Sequence, residues 1–481
     1  MTRSVAAPQS FVVAGIARAD VTPPVGIYHR MWGAARHDLS TGVHRPLYAT
    51  VLTLSDAAGD AETKIAIGLD HCLLWTAEMQ TLLQRVSERS GADPSSLIVF
   101  FSHTHGAGLM GLERQQLPGG DRIPPYLDEL ATTIARLIGE AMGSASAASI
   151  TYGVGRCALA TNRDYWDAER GQSVCGFNPD RTADDSVIVG RISDDSGATI
   201  ATLVNYACHP TTLAWDNTLI SPDYIGAMRE VVETATGAPC LFIQGASGDV
   251  GPREGFVGDA AVADRNGRQL GYAVLSALED LLPPQMEFTY SGPVISGATI
   301  GTWRYQPLGS ERTQRAATWR TSRCTVDLPL RKDLPQREEL LADQQKWQRE
   351  QELAADDAQR AGDARAMAER ATRRLLRLGH LNGEPTYSYH VPLWRMGNAI
   401  WLSLNGEHYN VLQTELRKRF PEHVLVIGTL ANGSDVWYLP DAASFGKGLY
   451  QEEASILARG SLEIVIDALT HAVRQLCAEA P

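Results

Sequence analysis

Two histidines one residue apart, His103 and His105 in the run Ser102-His103-Thr104-His105-Gly106-Ala107-Gly108, are the side chains here best equipped for chemistry. Neutral imidazole is a common zinc ligand, so a metal site is the first expectation. The preceding run, Leu97-Ile98-Val99-Phe100-Phe101, is short, partly β-branched and aromatic, and reads as a buried strand. In an extended backbone residues i and i+2 point to one side, which predicts that both rings face one cavity just past a strand end. The glycines behind them lack a Cβ and let the backbone approach a bound group. The plainer reading is a hydrogen-bonded turn, so chemistry elsewhere in the chain must separate the two.

That chemistry recurs at other strand ends. Residues 200–204 deliver Asn205-Tyr206-Ala207-Cys208-His209-Pro210, residues 240–244 deliver Gly248-Asp249-Val250-Gly251-Pro252, and residues 399–404 deliver Asn405-Gly406-Glu407-His408. Ligands bind at the carboxyl ends of strands in open α/β sheets, so His103, His105, His209, Asp249 and Glu407 are candidates for one site. Two histidines and a carboxylate form an ordinary catalytic zinc set with room left for water. Asp70, Asp223 and Asp249 are candidates to orient ligand imidazoles, or else cap backbone N–H groups. His71 and His408 sit one residue out of phase and are expected in the core or at the surface. His29, His37 and His44 fall in a long irregular loop, exposed or at a cleft mouth. Trp166, Trp303 and Tyr305 are read either as an apolar acyl pocket or as core packing.

The elements that must position these groups alternate between strands and helices. Strand-like runs at residues 11–17, 47–54 and 65–69 precede a helix over 76–90, and the histidine pair precedes a helix over 125–142. The expected fold class is α/β, with mixed β-sheets flanked by helices, forming one catalytic unit over residues 1–481. Residues 334–378 are rich in Gln, Glu, Arg and Ala and broken near Ala361-Gly362-Asp363, which predicts a helical hairpin inserted in that unit. Its apolar seam is too sparse for a coiled coil, so a solvated arm is expected, in preference to a lid or dimerisation element. An apolar helix is predicted over 454–476.

Bulk properties narrow the field. The chain has 481 residues, 44% of them hydrophobic, and a net charge of −13 with both signs interspersed. A large core is expected, and no basic footprint for nucleic acid exists. The seven cysteines are odd in number and lack C-x-x-C spacing, which argues against a disulfide framework or a thiolate zinc site. No secretory leader and no apolar run of about 20 residues is evident, so a cytoplasmic protein without a membrane span is expected, a homo-oligomer being left open.

Taken in order, Gly15-x-x-x-x-Asp20-Val21-Thr22, His103-Thr104-His105-Gly106, Asn162-Arg163, His209-Pro210-Thr211, Gly248-Asp249-Val250, Gly406-Glu407, Tyr438, and Tyr450-x-x-Glu453-Ala454-Ser455 span nearly the whole chain. This order resembles the neutral/alkaline (nonlysosomal) ceramidase family. The resemblance implies a zinc ion held by His103, His209, Glu407 and Tyr438, a tyrosine ligand that spacing alone would not nominate. It also implies that His105, Arg163 and Tyr450 meet the substrate carbonyl or its tetrahedral intermediate. Two departures stand out: Gly251 occupies the family's serine position, which excludes a hydroxyl there, and Ala246 replaces an asparagine. Ser247 precedes the motif and reads as a turn hydroxyl. The signal peptide and C-terminal β-sandwich of secreted members are not expected here, which points away from ceramide itself. The implied activity is zinc-dependent hydrolysis of a C–N amide bond in a small or medium N-acyl compound. Ester or lactone hydrolysis, or small-molecule binding on a degenerate scaffold, are the alternatives.

Overall fold

The structure is a computed structural model that describes residues 3–478. Its main sheet has eight strands: β1 (Gln9–Asp20), β2 (Tyr48–Asp56), β3 (Lys64–Leu69), β4 (Leu97–Phe101), β5 (Ser146–Arg156), β6 (Ser186–Asp194), β7 (Thr199–Tyr206) and β8 (Cys240–Gln244). Their spatial order is β8-β7-β6-β5-β1-β2-β3-β4, parallel at β3/β4 and β7/β8 and antiparallel elsewhere. A second sheet of four strands, β9 (Trp319–Pro329), β10 (Thr386–Met396), β11 (Ala399–Ser403) and β12 (Val424–Gly428), follows chain order and is parallel at β11/β12. The principal helices are α1 (Thr76–Ser90), α2 (Ile123–Gly143), α3 (Tyr224–Thr236), α4 (Ala260–Glu279), α5 (Arg337–Leu353), α6 (Ala358–Leu378) and α7 (Ser461–Cys477).

These elements stack as four layers. Val51, Ile65, Ile67 and Val99 pack under α1 and α2, and Val187, Val204 and Phe242 pack under α3 and α4 on the same face of the large sheet. The opposite face, with Leu52, Ala66, Ile98, Ile150, Leu203 and Leu241, meets Trp394, Met396, Trp401 and Val426 of the second sheet. The second sheet's far side carries Leu393, Ile400 and Leu402 against Leu462, Val465, Leu469 and Val473 of α7. A strand covered on both faces needs apolar residues at every position, which is why β3, β4 and β8 are continuous apolar runs without alternation. Both mixed sheets are flanked by helices, as the sequence predicts, while their face-to-face stacking leaves no local signature.

Helix ends follow ordinary chemistry. α1 buries Met79, Leu82 and Val86 along one stripe and stops at Gly91, whose φ of 75° is left-handed. α2 opens on Pro124 and Pro125, where no intrahelical N–H is needed. The inserted hairpin differs from expectation in two ways. α6 runs straight through Gly362, because one glycine in a long helix costs only about 1 kcal/mol. The break falls at residues 354–357 instead, where Asp357 caps α6 by accepting from the N–H groups of Gln359 and Arg360. Nor is the hairpin a solvated arm, since Arg365 pairs with Asp38, Arg370 with Glu453, Arg373 with the Met31 carbonyl, and Arg377 is buried over the Trp437 ring. The C-terminal helix begins at Ser461 and not near 454, because Gly460, at a φ of 92°, separates it from the short helix Tyr450–Ala454. Among the described residues no helix is long and apolar enough to cross a membrane.

Candidate active site

Parallel strands end on the same side within each of the pairs β3/β4, β7/β8 and β11/β12, and the loops that follow the three pairs meet at one site. Main-chain hydrogen bonds knit those loops together. His103 N–H donates to His71 C=O (2.9 Å), His209 N–H to Val250 C=O (3.1 Å), Gly248 N–H to His408 C=O (2.8 Å) and Arg163 N–H to Asp249 C=O (2.9 Å). Gly248 is obligatory at its crossing, since a Cβ there would lie 2.7 Å from the Glu407 carbonyl oxygen. Glu407 and Tyr438 are register partners across two parallel two-residue strands, Glu407–His408 and Tyr438–Leu439, so both side chains leave on one face.

The loops enclose a cavity of about 420 Å³ that is lined by all seven candidates, His103, His105, Arg163, His209, Glu407, Tyr438 and Tyr450. The route by which the two histidines reach it is not the one predicted. His103 has a φ of 65°, far from extended backbone, and it is this kink rather than strand alternation that turns both rings inward. His29 holds the kinked loop from outside, its Nε2 3.0 Å from the Gly106 carbonyl. Thr104 Oγ1 donates to Ser221 C=O at 2.7 Å, fixing the other side.

The floor of the cavity suits a cation. His103 Nδ1 is committed to the Cys72 carbonyl (2.8 Å) and His209 Nδ1 to the Ser247 carbonyl (3.3 Å), which leaves each Nε2 free to coordinate. Glu407 Oε2 lies 3.2 Å from His103 Nε2 and 3.8 Å from His209 Nε2. One donor atom from each of the three residues falls within 4.8 Å of the others, and all three residues are buried. A second set, Cys72, His103 and His105, meets the same criterion. Its thiol sits on the Nδ1 side of His103, 3.5 Å away, where the ring is already bound to a carbonyl, so the His/His/Glu set fits a metal better.

Electrostatics agree with that fit. Burial opposes a charged His103, yet Cys72 and Glu407 together raise its pKa well above the ordinary value, so the acceptors around it favour positive charge at this position. His209 is driven the other way, first by burial and then by Arg163 and His103, and stays neutral. Burial and His103 likewise push His105 well below its usual pKa, which leaves an unprotonated ring whose Nδ1 is tied to the His103 carbonyl at 3.0 Å. Arg163 donates to Gly248 C=O (2.8 Å) and to Tyr438 Oη (3.1 Å). The Tyr450 ring stands edge-on to that of Tyr438 with centroids 5.7 Å apart, at the exposed rim.

Several expectations fail around this core. Asp70 is paired with Arg229 (2.7 and 3.0 Å), Asp223 caps α3, and Asp249 accepts from Asn410 N–H (2.6 Å) and Asn162 Nδ2 (3.1 Å). None of them touches a candidate ligand imidazole, a task performed by backbone carbonyls. His71 and His408, by contrast, lie where they are expected, as buried core residues bound to Tyr126 and Tyr389. His29 is buried beside His37, and His44 bonds Ser221, so none of the three lines the cavity. Trp166, Trp303 and Tyr305 lie exposed elsewhere. The apolar walls are instead Trp32, Trp75, Trp215, Phe256 and Trp437, with Trp75 stacked on Trp437 at 5.4 Å. Only Trp32, in an irregular loop long enough to be functional, carried a sequence signal for this. Arg373, from α6, also lines the cavity and carried none.

The layered sandwich thus gathers imidazoles, a carboxylate, an arginine and two phenols in one strand-end cleft. The model of the neutral/alkaline non-lysosomal ceramidase N-terminal region matches residues 12–256, and the chain belongs to this family of amide-bond hydrolases. Its fold is similar to that of the neutral ceramidase from Pseudomonas aeruginosa, with a TM-score of 0.64 and 15% identity over 99% of this chain and 76% of that one. A ceramidase complexed with C2 is similar to the same degree, with a TM-score of 0.63 and 15% identity over 98% and 76%. No curated protein sequence matches the chain.

Proposed function

We propose that the chain is a zinc-dependent hydrolase of the C–N amide bond in a small or medium N-acyl compound. The observation that carries this reading is the buried His103/His209/Glu407 cluster on the floor of an aromatic-walled cavity of about 420 Å³, a volume suited to drug-sized ligands. Zinc bound there, with Tyr438 as a fourth ligand, would polarise the amide carbonyl and lower the pKa of water from about 16 to about 7.

The remaining steps belong to the chain. The aromatic walls bind the acyl part and exclude bulk water. His105, kept unprotonated by its surroundings, accepts the proton of the attacking water and returns it to the nitrogen of the departing amine. Arg163, fixed by the Gly248 carbonyl, offers its remaining N–H groups to the oxyanion that forms as the carbonyl carbon becomes tetrahedral. Tyr450 adds a phenolic donor from the rim. No side chain here has to act as a nucleophile, so Gly251 is compatible with the reaction.

The test is an untargeted screen of N-acyl substrates by mass spectrometry, with elemental analysis of the purified protein. Amine and carboxylate released in equal amounts, by protein holding one zinc per chain, is the expected result. A His103→Ala variant that keeps full activity, or a fully active protein devoid of metal, overturns it.

A further inference from the structure

The hairpin places four arginines of α6, Arg370, Arg373, Arg374 and Arg377, on one helix face at spacings of three and four. Like charges at those spacings repel, so counter-charges are needed. Glu453 pairs with Arg370 and Arg374, and Glu369 pairs with Arg30 and Arg365. Arg373 and Arg377 are left without a carboxylate partner among the described residues. Arg373 donates to the Met31 carbonyl, and Arg377 lies 3.6 Å above the Trp437 ring while only 7% exposed. The Nε atoms of both are buried with no hydrogen-bond partner.

These two guanidinium groups border a side chamber of about 150 Å³ whose wall also holds Gly33, Tyr450, Glu369 and the ion-paired Glu453, Arg370 and Arg374. Gly33, Arg373 and Tyr450 also line the main cavity, so the chamber adjoins the reaction site. Arg377 is buried and Arg373 half-buried, a buried cation without an anion is costly, and the planar fork of arginine matches carboxylate and phosphate oxygens in pairs. The apolar walls already suit an acyl chain, which leaves the amine part of the substrate to reach the arginines.

We propose that this chamber binds an oxyanion, carboxylate or phosphate, carried on the amine part of the N-acyl substrate, with Arg373 as its principal contact and Arg377 behind it. From the amide-hydrolase reading this takes only that the substrate is an N-acyl compound. Arg163 is not part of the chamber, being committed to Gly248 and Tyr438 beside the reacting carbonyl.

Titration calorimetry at pH 7.5 on the His103→Ala protein, which leaves ligands uncleaved, compares three probes: N-octanoylglycine, O-phospho-N-octanoylethanolamine and neutral N-octanoylglycinamide. At least one anionic probe should bind about tenfold tighter than the glycinamide, and the stronger of the two identifies the oxyanion. Adding Arg373→Ala should cut that margin below about twofold, while Arg373→Lys, which keeps the charge and loses the fork, should keep part of it. Equal binding of all three probes, no binding of any, or an unchanged margin in a natively folded Arg373→Ala protein overturns the proposal. Hydrolysis of the same probes by the unsubstituted enzyme is read separately. A charge margin without hydrolysis would sink the amide-hydrolase reading and leave the anion site standing.

Discussion

The floor and the roof of the cavity are built on different principles. On the floor, His103, His209 and Arg163 are each aimed by main-chain carbonyls of Cys72, Ser247 and Gly248, in loops cross-linked by backbone hydrogen bonds. On the roof, α6 contributes long side chains whose mutual arrangement depends on ion pairs with Glu369 and Glu453. Backbone-aimed groups are pre-organised for a transition state, whereas a helix face can change its side chains without disturbing the loops beneath. Under the proposed function, the floor would define which bond is broken and the roof which molecule presents it.

Replacing floor groups should be the most damaging way to probe this division. His103→Ala, His209→Ala or Glu407→Gln should each remove zinc and lower kcat at least about a thousandfold on every N-acyl substrate, read by elemental analysis beside steady-state kinetics. A substrate-dependent loss would erase the contrast with the roof.

A second test uses Asp249, which ties the Arg163 loop to Asn410. Burial, reinforced by Asp164, raises its pKa from 3.8 to about 7, so the folded state holds a proton that the unfolded chain releases. That contribution to stability is full below about pH 4, falls as pH rises to about 7, and is then gone. The lost amount is up to roughly 4 kcal/mol, taking ~1.4 kcal/mol per pH unit. Asp249→Asn should flatten this decline in urea melts taken from pH 4 to pH 7; an unchanged slope would show the carboxyl to be solvated.

Arg163→Ala should lower kcat by about a hundredfold with a smaller change in KM, as for loss of one oxyanion donor. A roof substitution, Arg373→Ala, should do the reverse on an acylglycine, raising KM more than it lowers kcat. Gly251→Ser should have the smallest effect. The nearest atoms to a Cβ there belong to Thr211, Arg163 and His209 at 3.6–3.8 Å, ordinary contact distances, so stability should change by less than about 1 kcal/mol. An added hydroxyl that raised kcat more than tenfold would show that the serine position matters to catalysis after all.

How far the sequence carried each part follows from the range of the forces involved. Strands β3, β4, β8 and β12 are legible because burial on both faces writes itself into every residue. The candidates His103, His209 and Glu407 stand out as polar groups ending such runs, but their convergence depends on two sheets stacking, which has no local signature. Tyr438 owes its place to a two-residue pairing with Glu407 and was nominated only by resemblance. The alternation argument for His103 and His105 correctly has both rings face one cavity but for the wrong reason, because periodicity cannot foresee a left-handed residue. Arg373 was invisible, since an arginine on a polar helix reads as solvated until the surface it covers is known.

The roof is clasped to the loop at residues 30–38 by several polar contacts: Arg30 with Glu369, Asp38 with Arg365, Arg36 with Gln359, and Arg373 with the Met31 carbonyl. Such attachments weaken as mobile ions shorten the range of charge, from about 10 Å at 0.1 M to about 3 Å at 1 M. Brine should thus loosen the canopy while sparing the carbonyl-aimed imidazoles. Under the proposed function, selectivity should therefore change with ionic strength while bond-breaking power stays largely insulated from it.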